Sequence, residues 1–137
     1  MPVSAVQKSP QSPAPDIVLL AAEWQPRALL RAQLIEEGYE VLATDTWIEM
    51  RRLLGSAPRP LLAIVDLQGL PDPDVVLNDL ATIMNPSRVL VLTAIGTVSS
   101  DEIQARGFRV VRRPIAIFSV VAAVARAISE AKVSRSR

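Results

Sequence analysis

The sequence contains no cysteine and no histidine, and these absences exclude much of the usual chemistry of small proteins. Without cysteine there is no disulfide framework and no thiolate nucleophile. Without histidine there is neither the commonest metal ligand nor the usual proton-transfer group near neutral pH. Triads and zinc sites built on these residues are therefore excluded. A phosphate-cradling Walker loop and a dinucleotide-binding glycine motif are also missing, so we expect no enzymatic activity.

An excess of charge of either sign is also missing. The 15 basic and 14 acidic side chains leave a net charge of +1, so bulk charge gives no reason to expect a nucleic-acid partner. The longest uncharged apolar run, residues 115–125, is too short to span a bilayer. The N-terminus lacks the pattern of a signal peptide, and we expect a cytoplasmic protein that does not insert into membranes.

The composition instead favours a single domain that is rich in apolar residues. Half of the 137 residues are apolar, which leaves room for an extra buried surface such as the face of a partner. Residues 1–15 are rich in proline, serine and glutamine and are predicted to form a disordered tail. A single domain is predicted over residues 16–132, followed by a flexible end at 133–137.

Within that domain, apolar runs alternate with helical patterns. The runs, which we interpret as buried parallel strands, are residues 17–21, 41–44, 61–65, 88–93 and 108–111. Helices are predicted between Pro26 and Gly38, over 47–54, over 74–84, between Ser99 and Gly107, and from Pro114 to about Lys132. Thr46 with Glu49, and Ser99 with Glu102, have the spacing of capping boxes. Five βα units predict a three-layer α-β-α sandwich around a five-stranded parallel sheet.

Functional groups in such sheets gather beyond the carboxyl ends of the strands. Asp66 follows the third predicted strand, Thr93 ends the fourth, and Arg112 and Arg113 follow the fifth, whereas Ala21, Ala22 and Glu23 stand at the end of the first. One carboxylate, one hydroxyl and one cation are therefore expected to share a crevice.

At these positions the sequence resembles the receiver domains of two-component response regulators. The resemblance covers residues 17–130. Asp66 in Ile64-Val65-Asp66-Leu67 matches the phosphoacceptor, Thr93-Ala94 matches the hydroxyl position, and Arg113-Pro114 stands where the family has Lys-Pro. The resemblance implies a flavodoxin-like (βα)5 receiver topology and a role in phosphorelay signal transduction.

The chain departs from the family where the chemistry takes place. In the family an acidic pair after strand one holds a magnesium ion, but this chain has Ala21 and Ala22. Methyl groups cannot bind a cation that requires oxygen ligands. We therefore expect no metal site and no cofactor, and weak or absent metal-dependent phosphorylation. Asp66 is then either a retained acceptor or a strand-end carboxylate paired with Arg113, and Thr93 is either a switch or a hydroxyl that satisfies local backbone groups.

The last predicted helix is apolar on most of its faces, which a surface helix normally is not. Either it is deeply packed, or its outer face meets a partner. Receiver domains commonly pair through helix four, strand five and helix five. This resemblance favours a signalling partner or self-association through the last helix and fifth strand, with Phe118, Val121 and Val124 on the interaction face.

Three functions remain open. The leading hypothesis is a stand-alone, atypical pseudo-receiver that acts by protein–protein interaction, because no effector domain follows it. The first alternative is a working receiver phosphorylated on Asp66, with Glu23 or Asp72 replacing the lost carboxylates and magnesium as its cofactor. The second alternative is a small-molecule sensor that uses the strand-end crevice.

Overall fold

Five β-strands alternate with five α-helices along the part of the chain that the structure, a computed structural model, describes: residues 14–56 and 58–135. The strands are β1 (Ile17–Ala21), β2 (Val41–Thr44), β3 (Leu62–Asp66), β4 (Val89–Leu92) and β5 (Arg109–Val111). The helices are α1 (Trp24–Glu36), α2 (Trp47–Gly55), α3 (Pro73–Ile83), α4 (Ser100–Ala105) and α5 (Ile117–Arg135), and a single 3₁₀ turn (Pro86–Arg88) precedes β4.

All neighbouring strands are parallel, in the order β2-β1-β3-β4-β5. The chain reverses its direction across the sheet after β2, so the carboxyl ends of β1 and β3 lie side by side at the switch point. Their register places Ala21 directly opposite Asp66. The predicted five-stranded parallel sheet is confirmed.

Helices cover both faces of the sheet, which explains why the strands read as continuous apolar runs. On one face, strand residues such as Val18 and Val65 pack with residues of α2, α3 and α4 in one core cluster. On the other face, Leu19 and Ile64 pack with residues of α1 and α5 in a second cluster. This is the predicted three-layer sandwich. None of the described helices is long and apolar enough to cross a membrane.

Side-chain caps begin two of the helices as predicted. The Thr46 hydroxyl oxygen accepts a hydrogen bond from the Glu49 backbone N–H at 3.2 Å, and Ser99 accepts one from the Glu102 N–H at the same distance. These contacts satisfy N–H groups that the first helical turn leaves without a partner.

Both ends of α5 differ from the prediction. The helix begins at Ile117 and not at Pro114, because the N–H groups of Ser119 and Val120 both donate to the Ala116 carbonyl oxygen, which sets the helix start there. It continues to Arg135, beyond the expected end at Lys132 and into the segment predicted to be flexible. The predicted tail at 1–15 lies almost entirely outside the described residues, as do positions 136 and 137.

Candidate functional site

The site is centred on Asp66, the last residue of β3, which is only 4% exposed. Its Oδ1 atom accepts two hydrogen bonds. One comes from the Gln68 backbone N–H at 2.9 Å and closes a tight turn after the strand, and the other comes from Arg113 Nη2 at 2.7 Å. One carboxylate oxygen is therefore already held by a backbone donor and by a cation.

Arg113 reaches Asp66 from the loop between β5 and α5. Its Nε donates to Gln68 Oε1 at 3.2 Å while its Nη2 binds the carboxylate, so the planar guanidinium spans two groups of the loop after β3. The Arg113 side chain is 21% exposed and that of Asp66 is 6% exposed, which makes this ion pair the most buried in the described chain. Charge-assisted hydrogen bonds of this kind are stronger than neutral ones.

Thr93 connects the same loop to β4. Its hydroxyl oxygen accepts a hydrogen bond from the Arg113 backbone N–H at 3.1 Å, and its own N–H donates to the Val111 carbonyl at 3.1 Å. In this arrangement the hydroxyl satisfies a backbone group, which was one of the two roles considered for it. Through these contacts Asp66, Thr93 and Arg113 lie together at one edge of the sheet.

The residues beside Asp66 do not fit a magnesium ion. Ala21 lies opposite Asp66 and offers only a methyl group, and Ala22 follows it. The Ala21 carbonyl oxygen accepts a hydrogen bond from Arg27 Nη1 at 2.8 Å, so a cation already lies against the end of β1. Among the described residues no group of three acidic, histidine or cysteine side chains is placed to hold a metal.

The two carboxylates considered as replacements lie in different places. Glu23 is exposed and lies against the loop after β3. Its carboxylate is close to Gly69, since a Cβ atom added at Gly69 would lie 3.4 Å from Glu23 Oε2. Asp72 is exposed at the start of α3 and lines a separate groove between α2 and α3, of which Asp66 is not part.

Two residues of the site were not identified from the sequence. The Gln68 side chain accepts a hydrogen bond from Arg113 and helps to orient it. The sequence indicates Gln68 only by its position two residues after a strand-end aspartate, where an Asx-type turn is common. Arg27 donates to the carbonyl oxygens of Ala21 and Ala22 at the end of β1, and nothing in the local pattern distinguishes it from the other helix arginines.

The proposed interaction face is only partly at the surface. Phe118 is 77% exposed, whereas Val121 is half-buried. Val124 is 0% exposed and belongs to the core cluster under α5, so its assignment to the interaction face was wrong. The reason is helical periodicity, since Val124 lies one turn after the equally buried Val120 on the side that faces the sheet.

A groove of about 320 Å³ opens beside the ion pair, between α1 and the loop that precedes α5. Its walls are mainly apolar, and Asp66 and Arg113 form its polar part. The lining residues are Gln25, Pro26, Leu29, Leu30, Asp66, Leu92, Arg113, Ile115 and Ile117. The arrangement combines an apolar wall with a pre-formed ion pair.

Neither a protein-family model nor a curated protein matches this sequence. Solved structures do match. The signal receiver domain of a protein from Vibrio parahaemolyticus superposes with a TM-score of 0.75 at 23% identity, over 88% of this chain and 95% of that one. A response regulator receiver domain protein from Clostridium thermocellum gives 0.72 at 21% identity, over 85% and 96% of the two chains. NtrX from Brucella abortus gives 0.71 at 22% identity, over 90% of this chain and 29% of that one.

This chain has the receiver-domain fold. Within the receiver fold, Asp66 ends the third strand, Thr93 follows the fourth, and Arg113 follows the fifth, which is the order on which the sequence resemblance was based. The fold therefore brings the Asp66 carboxylate, the Thr93 hydroxyl and the Arg113 side chain to one edge of the sheet, where Arg113 contacts Asp66 directly.

Proposed function

We propose that this chain is an atypical receiver module that signals through protein–protein contact, with metal-dependent phosphorylation of Asp66 weak or absent. The observation that carries the proposal is the 2.7 Å contact from Arg113 Nη2 to Asp66 Oδ1. It gives the carboxylate a cationic partner that belongs to the chain itself.

Phosphoryl transfer to a carboxylate depends on positioning and on stabilisation of the charge on the phosphoryl oxygens. In this chain the cation available for that purpose is Arg113, and it is already bound to the acceptor carboxylate and to Gln68. Arg113 and the Gln68 backbone N–H both bind Oδ1, so a donor would have to react at the other carboxylate oxygen of Asp66. Ala21, opposite Asp66, contributes no charge that would assist it.

The same contacts support a constant signalling surface. Arg113 joins the loop after β3 to the loop before α5, and Thr93 fastens the Arg113 backbone to the end of β4. Because these contacts are made between protein atoms, we propose that the module keeps one arrangement of its strand-end loops. We propose that a partner recognises this arrangement together with exposed Phe118 and the neighbouring Ile117 at the start of α5, with half-buried Val121 at the edge of the contact.

Intact-mass measurement after incubation with magnesium and acetyl phosphate tests the proposal. We expect the wild-type mass to stay unchanged, like that of Asp66→Asn. The variant Ala21→Asp/Ala22→Asp/Arg113→Lys restores the family's residue types, and it should gain the mass of one phosphoryl group if circular dichroism shows that it folds. Efficient phosphorylation of the wild type that disappears in Asp66→Asn would refute the proposal.

The groove beside the ion pair supports a second candidate function, a small-molecule sensor. A concave, mainly apolar site with a few polar groups is the usual form of a ligand pocket, and this one has a volume of about 320 Å³. A thermal-shift screen with nucleotides and organic phosphates tests it, since a ligand of the native state raises the unfolding midpoint. A ligand that shifts the wild type but not Ile117→Glu would favour the sensor over the protein-binding module.

A further inference from the structure

A second groove lies on the other layer of the sandwich, between the start of α2 and the start of α3, with a volume of about 340 Å³. Its walls are apolar and partly exposed: Ile48 is 81% exposed and Val75 is 54% exposed. The lining residues are Asp45, Thr46, Trp47, Ile48, Leu70, Pro71, Asp72, Val75 and Val76. Clusters of exposed apolar side chains around a concavity mark binding surfaces more often than isolated ones do.

Asp45 and Asp72 give this groove an acidic rim. Both are exposed, and within the described residues neither forms an ion pair. Neighbouring acids differ in this respect, because Glu49 pairs with Arg52 and Asp74 pairs with Arg106. A partner that covers the groove would partly desolvate the two unpaired carboxylates, and cationic groups on that partner would compensate most strongly.

The groove is held in place by contacts at both of its sides. Thr46 caps α2 through the Glu49 N–H, which fixes the turn that carries Trp47 and Ile48. On the other side, Asp72 has left-handed backbone angles (φ 50°, ψ 58°), and its carbonyl oxygen accepts a hydrogen bond from the Val76 N–H at 3.2 Å. Asp72 is the one non-glycine residue with positive φ in the described chain, a conformation that is uncommon and therefore notable.

We propose that this groove binds a peptide segment of a partner protein, with one aliphatic or aromatic side chain of the segment seated against Trp47 and Val75, and flanking lysine or arginine side chains paired with Asp45 and Asp72. Charge complementarity decides the chemistry of the occupant, since the rim offers two unpaired carboxylates and the walls offer mainly apolar contacts. The groove lies on the α2–α3 side of the sheet, opposite Phe118 on the α5 side, so the inference does not depend on the proposed function. A module with both surfaces can connect two proteins.

Trp47 provides a direct reporter in a Trp24→Phe background, where it is the remaining tryptophan. A random-peptide phage library is selected on this protein and counter-selected on the same protein with Ile48→Asp. We expect enriched sequences to combine an apolar anchor with lysine or arginine on its flanks. A synthetic peptide of the enriched sequence should change Trp47 fluorescence on titration, and Asp45→Asn/Asp72→Asn should weaken its binding by about tenfold.

Ile95→Asp is the matched control, because Ile95 is 94% exposed in the loop before α4, away from the groove, and this change should leave binding unaltered. Asparagine tolerates left-handed backbone angles, so Asp72→Asn removes the charge and keeps the turn. Enriched sequences that are acidic, or that bind wild type and Ile48→Asp equally, would overturn the proposal. A peptide whose binding is lost in Phe118→Glu but kept in Ile48→Asp would place the surface elsewhere and would also overturn it.

Discussion

Arg113 Nη2 lies 2.7 Å from Asp66 Oδ1, although 47 residues separate the two side chains in the sequence. The contact joins the ends of β3 and β5, two strands that are not neighbours in the sheet. The same oxygen, Asp66 Oδ1, also accepts a hydrogen bond from the Gln68 backbone N–H. Through these two hydrogen bonds Asp66 ties the loop after β3 to the loop before α5.

The first prediction concerns the stability that this tie provides. Arg113→Ala leaves the buried Asp66 carboxylate and the Gln68 amide without the guanidinium, and should cost about 2 kcal/mol of unfolding free energy. Arg113→Lys should cost less, because a single ammonium can reach one of the two acceptors but not both. Urea denaturation monitored by circular dichroism gives both values.

The matched control is the double variant Asp66→Asn/Arg113→Ala. Because the two side chains are in direct contact, its loss of stability should be smaller than the sum of the two single losses. Additive losses would show that Asp66 and Arg113 are not coupled in solution and would contradict the central contact.

The fold and the three central site residues could be predicted from the sequence for a physical reason. Strands covered on both faces are continuous apolar runs, and their carboxyl ends must meet at one edge of a parallel sheet. Asp66 directly follows such a run and Thr93 ends one, whereas Arg113 follows Arg112 after the last run and was distinguished from it by the resemblance to receiver domains. Gln68 and Arg27 could not be found in this way, because their roles depend on the conformations of loops that have no periodic signal.

The second prediction contrasts two glycines. Gly69 has a φ of +72° in the loop after Asp66, so an alanine there would adopt a strained backbone at a cost of about 1 kcal/mol. Gly55 ends α2 and has nothing within 4 Å of a built Cβ atom, so Gly55→Ala should stabilise the protein by up to about 1 kcal/mol. Thermal unfolding of both variants checks the opposite signs. A stabilised Gly69→Ala would mean that the loop does not have this conformation.

Helix α5 is an element whose buried side could not be predicted from the sequence pattern. Apolar side chains occur on nearly every face of its first turns, so the pattern does not identify the side that faces the sheet. The structure shows which apolar side chains are buried: Val120 and Val124 lie in the core, and Phe118 lies at the surface. The face of α5 that packs on the sheet is identified by the burial of Val120 and Val124, which lie one helical turn apart.

The third prediction tests this separation. Val124→Ala removes two buried methyl groups and should lower the unfolding free energy by about 2 kcal/mol. Phe118→Glu should change it by no more than about 0.5 kcal/mol, because the side chain is mostly in solvent already. Chemical denaturation of the two variants supplies the comparison. If Phe118→Glu proved as damaging as Val124→Ala, Phe118 would belong to the core and would not be available to a partner.

The last prediction concerns the exposed start of α2. A hydrogen bond from the Arg52 guanidinium to the Glu49 carboxylate, with Nε lying 3.1 Å from Oε1, holds the pKa of Glu49 below its ordinary value. Since the folded-state pKa is depressed, the interaction contributes fully above the unfolded-state pKa and is lost as pH falls through the folded-state value. Carbon-detected NMR titration of the Glu49 carboxyl should therefore give a low midpoint in the wild type and an ordinary one in Arg52→Gln. Arg51→Gln, which changes the preceding exposed arginine, should leave the low midpoint in place. An unchanged midpoint in Arg52→Gln would show that the pair does not persist in solution.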